Sequence, residues 1–179
     1  MTQRKKTTKQ TKRPRHSIHY SLMDVMLASS TQPLAPAKRA HQLGKIWAGV
    51  AEIESANTPS ADAWRVCSDA VNLMETLVLH GPWPDCDGDL VDIKDASGLL
   101  LDAITALVHA GERLTAGQPA ALCTADLTAL RGVVQDYSDL ADTLPARTML
   151  RCHRATERRL HIAIEKTKHL PDGVHLVAI

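Results

Sequence analysis

The stretch that decides the fold lies at residues 60–80 and reads SADAWRVCSDAVNLMETLVLH. Its apolar side chains recur every three or four residues, which is the period of an α-helix. They form two neighbouring stripes, one of Trp64, Cys67, Val71, Met74 and Val78 and one of Val66, Ala70, Leu73 and Leu77. A helix with so wide an apolar face packs against several neighbours. We therefore predict a central helix over residues 61–80, capped by Ser60 and with Asp62 in its first turn.

Four other segments repeat this helical period. We predict helices in them at residues 37–55, 92–112, 124–144 and 146–168. Glycine and proline mark where they stop, because the third ends near Gly111 and Pro145 separates the fourth from the fifth. The predicted caps are Thr124 for the fourth helix and Asp89 or Asp92 for the third.

No apolar alternation of period two is long enough to build a sheet. The predicted fold is therefore all-α, with a single bundle of about five helices in residues 21–179. The first twenty residues form a separate region, because their basic and polar composition cannot bury a core. We predict that residues 1–20 are a disordered basic arm and that residues 174–179 are either a strand or a docked extension.

Charge is distributed very unevenly along the chain. The net charge is +7 over residues 1–15, −10 over residues 16–145 and +4 over residues 146–179, although the whole chain carries only +1. The basic residues of the arm are Arg4, Lys5, Lys6, Lys9, Lys12, Arg13 and Arg15. Two interpretations remain open: the basic ends face an external polyanion such as nucleic acid, or they contact the acidic middle of the same or a neighbouring molecule.

The predicted fifth helix carries a second group of basic residues. At 100° per residue one of its faces holds Arg147, Arg151, Arg154 and Arg158, which we call the arginine ridge. The opposite side is apolar and holds Met149, His153, Leu160, Ala163 and Ile164. Guanidinium groups match phosphate oxygens, and the ridge is about 16 Å long at 1.5 Å per residue. The ridge is thus a candidate phosphate-binding face, or else a solvated face paired with acidic helices.

The sequence predicts no catalytic centre, no cofactor and no metal site. Phosphate-binding glycine loops, a serine nucleophile elbow and a dinucleotide fingerprint are all missing. Helix capping explains the acidic loop at residues 85–95 better than Ca²⁺ does, since Leu90 and Ala96 stand where an EF-hand loop needs Gly and Glu. His153 is interpreted as a core histidine, because it lies on the apolar side of its helix.

A few positions also carry a likeness to known proteins. They are Trp64, the run Ala70-x-Asn72-x-x-Glu75-x-Leu77, the loop at Gly81 and the run Cys123-Thr124-Ala-Asp-Leu127. Over about residues 37–145 the chain thereby resembles small uncharacterised helical proteins encoded by proteobacterial phages and plasmids. The resemblance implies a bacterial, mobile-element context, and it implies no activity and no functional residue.

These observations lead to one expectation and one alternative. We expect a non-enzymatic accessory or regulatory protein that binds nucleic acid through phosphate contacts, since three Trp, two Tyr and no Phe leave few platforms for stacking bases. The alternative is a protein-interaction module of a phage or plasmid whose acidic helical body binds a basic partner. Neither a membrane span nor a secretory signal is predicted, so the expected location is the cytoplasm, with reduced cysteines. The sequence sets no oligomeric state.

Overall fold

A computed structural model of the chain describes residues 28–79 and 97–167. Its five helices are α1 (Pro36–Ser55), α2 (Ala61–Leu79), α3 (Ser97–Thr115), α4 (Thr124–Thr143) and α5 (Ala146–Thr167). These two ranges contain no strand, and the predicted all-α fold of about five helices is confirmed. The predicted basic arm, the acidic loop with the caps of the third helix, and residues 174–179 lie outside the described residues.

The start of α2 follows the predicted capping. The hydroxyl of Ser60 accepts a hydrogen bond from the backbone N–H of Ala63 at 3.1 Å, which satisfies one of the free donors of the first turn. The backbone N–H of Ser60 in turn donates to Glu52 Oε1 at 2.7 Å. That bond lowers the pKa of the Glu52 carboxyl, because it stabilises the ionised form. Ser60 thus connects the turn to both helices, through its hydroxyl to α2 and through its backbone N–H to α1.

The third helix does not end near Gly111 as predicted. Gly111 is buried within α3, which continues for another turn to Thr115. The chain then reverses at Gly117, whose φ of 67° favours glycine. The backbone N–H groups of Gly117 and Gln118 donate to the carbonyls of Leu114 and Arg113 at 3.0 and 2.8 Å. This pair of bonds is a Schellman motif, and it places the stop signal at Gly117.

The cap of α4 also differs from the prediction. Thr124 is the first residue of the helix, and the preceding residue, Cys123, is the N-cap. The thiol of Cys123 accepts from the N–H of Asp126 at 3.5 Å, while the Asp126 carboxylate accepts from the N–H of Cys123 at 3.3 Å. The result is a capping box in which a sulfur stands in for the usual hydroxyl, and this substitution hid the boundary in the sequence.

The core is organised around α2, which packs against each of the other four helices. Cys67, Val71, Met74 and Leu77 of α2 are all almost completely buried. The indole N–H of Trp64 donates to the carbonyl of Leu107 in α3 at 2.8 Å, so this large, half-buried side chain has its polar atom satisfied. The packing thus confirms the central position that was predicted for the second helix.

Two further contacts fix α1 against the bundle. Gly49 of α1 lies so close to α2 that a β-carbon there would stand 3.2 Å from the carbonyl oxygen of Ala63. On another side, the indole N–H of Trp47 donates to the hydroxyl of Ser138 in α4 at 3.3 Å. None of the helices in residues 28–79 and 97–167 is long and apolar enough to cross a membrane.

Candidate nucleic-acid interface

The arginine ridge lies on one unbroken helix, because α5 continues from Ala146 to Thr167. Arg151 and Arg158 are exposed, and Arg147 and Arg154 are half-buried. The side of α5 turned away from the ridge carries the buried Cys152 and Thr156, which face α2. Four guanidinium groups thus share one side of the helix over about 16 Å.

The buried side of α5 is not the apolar side that the sequence predicts. The buried residues of this helix are Ala146, Thr148, Cys152 and Thr156, while Ile164 is 46 % exposed. Met149 and His153, from the predicted apolar side, are half-buried beside this contact. Compared with the prediction, α5 is therefore rotated about its axis so that small and polar residues face the bundle. The contacts of Arg159 explain this orientation.

Arg159 anchors α5 to α2 through a half-buried polar seam. Its guanidinium forms an ion pair with the carboxylate of Glu75 and donates a hydrogen bond to the hydroxyl of Thr76 at 2.5 Å. The hydroxyls of Thr76 and Thr156 lie 2.8 Å apart, and the Cys152 thiol donates to the carbonyl of Leu73 at 3.4 Å. Because a half-buried guanidinium needs its partners, this seam fixes which face of α5 meets α2.

Sequence reasoning missed the role of Arg159. The side chain sits next to Arg158 in a strongly basic helix, so it reads as one more surface charge. The angular position of Arg159 on the helix could have indicated a different role. At 100° per residue, this side chain lies about a quarter turn away from the ridge. Its partner Glu75 is 84 positions away, and no local pattern connects the two.

The chain that precedes α1 is fixed against the first turn of α5. The backbone N–H groups of Ala146 and Arg147 donate to the carbonyls of Gln32 and Ser30 at 2.8 and 3.3 Å. A helix leaves its first N–H groups without partners inside the helix, so these carbonyls act as its cap. The end of the chain that leads to residues 1–27 therefore lies beside Arg147, the first member of the ridge.

An ion pair holds the rest of this segment in place. Arg39 of α1 pairs with Asp142 of α4 at 2.5 Å between Nε and Oδ1, and it also donates to the carbonyl of Leu34 at 3.3 Å. The path of residues 30–34 is thereby tied to α1, α4 and α5 together. The seven basic residues predicted for the arm lie outside the described residues.

Two arginines of the other helices form ion pairs within the bundle. Arg131 of α4 pairs with Glu54 of α1 at 2.5 Å, and Arg65 pairs with Asp62 at 3.1 Å within α2. Exposed pairs of this kind add little stability, but they neutralise charge locally. The described residues contain no group of three or more His, Cys, Asp or Glu side chains that could hold a metal ion.

Comparison with known proteins adds no relative to this description. No family model, no curated protein and no solved structure matches the chain. The resemblance to phage and plasmid proteins stays a prediction.

Proposed function

We propose that this protein is a non-enzymatic accessory or regulatory protein that binds nucleic acid through phosphate contacts. The binding surface combines the basic arm with the arginine ridge of α5. The observation that carries this proposal is the fixed segment at the start of α5, where Ser30 and Gln32 cap the first turn beside Arg147. The chain that leads to the basic arm therefore starts beside the first residue of the ridge, although the two basic groups are far apart in sequence.

The covalent chain is long enough for the arm to extend this surface. Residues 15 and 28 are separated by thirteen peptide units, which span at most about 45 Å when fully extended. The ridge adds about 16 Å along α5, which equals the rise of roughly five base pairs of duplex DNA. The arm and the ridge can therefore contact phosphates on adjoining stretches of the same duplex.

The charge of the remaining body favours one orientation on a polyanion. Residues 16–145 carry a net charge of −10, so most of the bundle repels phosphate. Binding is then favourable only when α5 faces the nucleic acid and the acidic helices face away. Phosphate contacts position a protein without reading bases, and so we expect similar affinity for unrelated sequences.

A charge-matched comparison tests the ridge. The test variant replaces Arg151, Arg154 and Arg158 by Gln, and the control replaces Arg65, Arg113 and Arg131 by Gln. Each variant loses three positive charges, but only the first loses them from α5. Binding to two labelled DNA duplexes of unrelated sequence is measured by fluorescence anisotropy at about 50 mM salt.

We expect the ridge variant to bind both duplexes at least tenfold more weakly than the control variant. Equal affinities of the two variants would mean that net charge alone governs binding and that the ridge is not a surface for phosphate. If the parent protein binds neither DNA nor RNA, the alternative of an acidic body that binds a basic protein partner takes the place of this proposal. The cytoplasmic location and the mobile-element context belong to the same proposal and rest on the sequence.

A further inference from the structure

A pocket of about 300 Å³ lies between α1, α4 and α5, on the side of α5 next to the ridge. Most of its wall is apolar and comes from Leu34, Leu43, Ala141, Ala146, Met149 and Leu150. The remaining wall includes Tyr137 of α4 and His153 of α5. Sequence reasoning interpreted His153 as a core histidine, whereas the structure places it half-buried at this pocket.

Two polar side chains of the lining, Tyr137 and His153, can form hydrogen bonds with an occupant of the pocket. Tyr137 is only 2 % exposed, and a tyrosine combines a large apolar ring with a hydroxyl that favours a hydrogen-bond partner. Burial raises the pKa of this phenol to about 12, so it stays protonated and can donate. Burial likewise lowers the pKa of His153, whose neutral ring offers one donor and one acceptor.

The charged residues at the pocket argue against an ionic occupant. Arg39 is already engaged by Asp142 and by the carbonyl of Leu34. Glu157 adds a negative charge to the lining, which disfavours an anion. The pocket thus combines a mostly apolar wall with three uncharged hydrogen-bonding side chains, those of Gln42, Tyr137 and His153. This is the usual composition of a site for a small organic molecule.

We propose that this pocket binds a small, uncharged, two-ring aromatic molecule that carries one hydroxyl or similar hydrogen-bonding group. The size follows from volume, because an apolar cavity of about 150 Å³ holds benzene and this pocket is about twice as large. The hydrogen-bonding group meets Tyr137 or His153, and the rings contact Leu43, Met149 and Leu150. This site is independent of the proposed nucleic-acid surface and needs no nucleic acid for its test.

The probe for this proposal is 2-naphthol, with naphthalene as the analogue that lacks the hydroxyl. Binding of both to the full chain is measured by ligand-observed NMR. We expect saturable binding of 2-naphthol with a dissociation constant of about 0.1 to 1 mM. The hydroxyl should make it bind roughly two- to tenfold more tightly than naphthalene, as one net hydrogen bond does.

Three variants locate the site. Ala141→Phe fills the pocket and should abolish binding, whereas Ala125→Phe, on an exposed position of the same helix, should leave it unchanged. Tyr137→Phe should weaken the binding of 2-naphthol by roughly two- to tenfold and leave the binding of naphthalene unchanged.

The proposal is overturned by either of two outcomes. The first is that 2-naphthol shows no saturable binding to the parent chain. This outcome overturns the proposal even if the cause is that water or another part of the chain fills the pocket. The second is binding that Ala141→Phe and Ala125→Phe affect equally, since the probe then occupies another place.

Discussion

Burial divides the three cysteines of the described residues into two kinds. Cys67 and Cys152 are almost fully inaccessible, and burial raises the pKa of each thiol to about 12. Cys123 is exposed at the start of α4. A thiolate is the reactive form, so the two buried thiols lack both the charge and the access that alkylation requires.

We expect maleimide at about pH 8 to modify Cys123 in the native protein and to leave Cys67 and Cys152 intact until the chain is unfolded. Mass spectrometry of peptides from a Cys86→Ser variant measures this directly, because that change removes the thiol outside the described residues. Rapid labelling of Cys152 in native protein would show that α5 separates from α2 easily, and the contacts described for the polar seam would then be wrong.

Protonation of His153 makes the free energy of unfolding depend on pH. Burial lowers its pKa below the ordinary value of 6.5, so below that value the unfolded chain binds a proton that the folded chain does not. The free energy of unfolding should therefore fall as the pH drops from about 7 towards the lowered pKa of the folded state. Above about pH 7.5 this contribution is constant.

Replacing His153 by Gln should make the free energy of unfolding less dependent on pH between about 7 and 5. Urea unfolding of parent and variant at several pH values checks this, and the difference between the two removes the contribution of every other titrating group. A variant whose pH dependence equals or exceeds that of the parent would contradict the burial of His153.

At the scale of elements, the contact between α2 and α5 depends on the pair Glu75 and Arg159. The two side chains are 24 % and 30 % exposed, so the pair lies between a surface pair and a fully buried one. Removing one partner leaves the other charge half-buried without compensation, whereas removing both does not. This asymmetry can be measured.

We expect Glu75→Gln and Arg159→Met each to lower the free energy of unfolding by about 1 to 3 kcal/mol. The double variant should lose clearly less than the sum of the two single losses, because it has no unpaired charge left. Chemical denaturation of the four proteins gives the coupling energy. Strictly additive losses would mean that the two side chains do not interact in solution.

The helices themselves were predictable because their signals are local. Residues 37–55 and 61–80 were predicted where α1 spans Pro36–Ser55 and α2 spans Ala61–Leu79. The errors fall where a local signal is ambiguous: Gly111 resembles a stop but packs inside α3, and the thiol of Cys123 takes the capping place expected of Thr124. The rotation of α5 and the pocket were not predictable, since both depend on residues from helices that are distant in sequence.

At the scale of the whole molecule, the sequence has a basic region at each end and an acidic middle. The sequence placed these regions at opposite ends of the chain, and only the hydrogen bonds from Ala146 and Arg147 to residues 30–32 bring their attachment points together. This proximity gives the proposed function its physical basis. The proposal requires that a polyanion in contact with the ridge also lies within reach of the arm.

The most direct test of this account is the dependence of DNA binding on salt concentration for the full chain and for a chain without residues 1–15. If the arm engages four to seven phosphates, the logarithm of the affinity should fall against the logarithm of the salt concentration with a slope of about −4 to −6. Removal of residues 1–15 should reduce that slope sharply, and the ridge should supply what remains. Equal slopes for the two proteins, or no binding at about 50 mM salt, would contradict the claim that the arm and the ridge form one phosphate-binding surface.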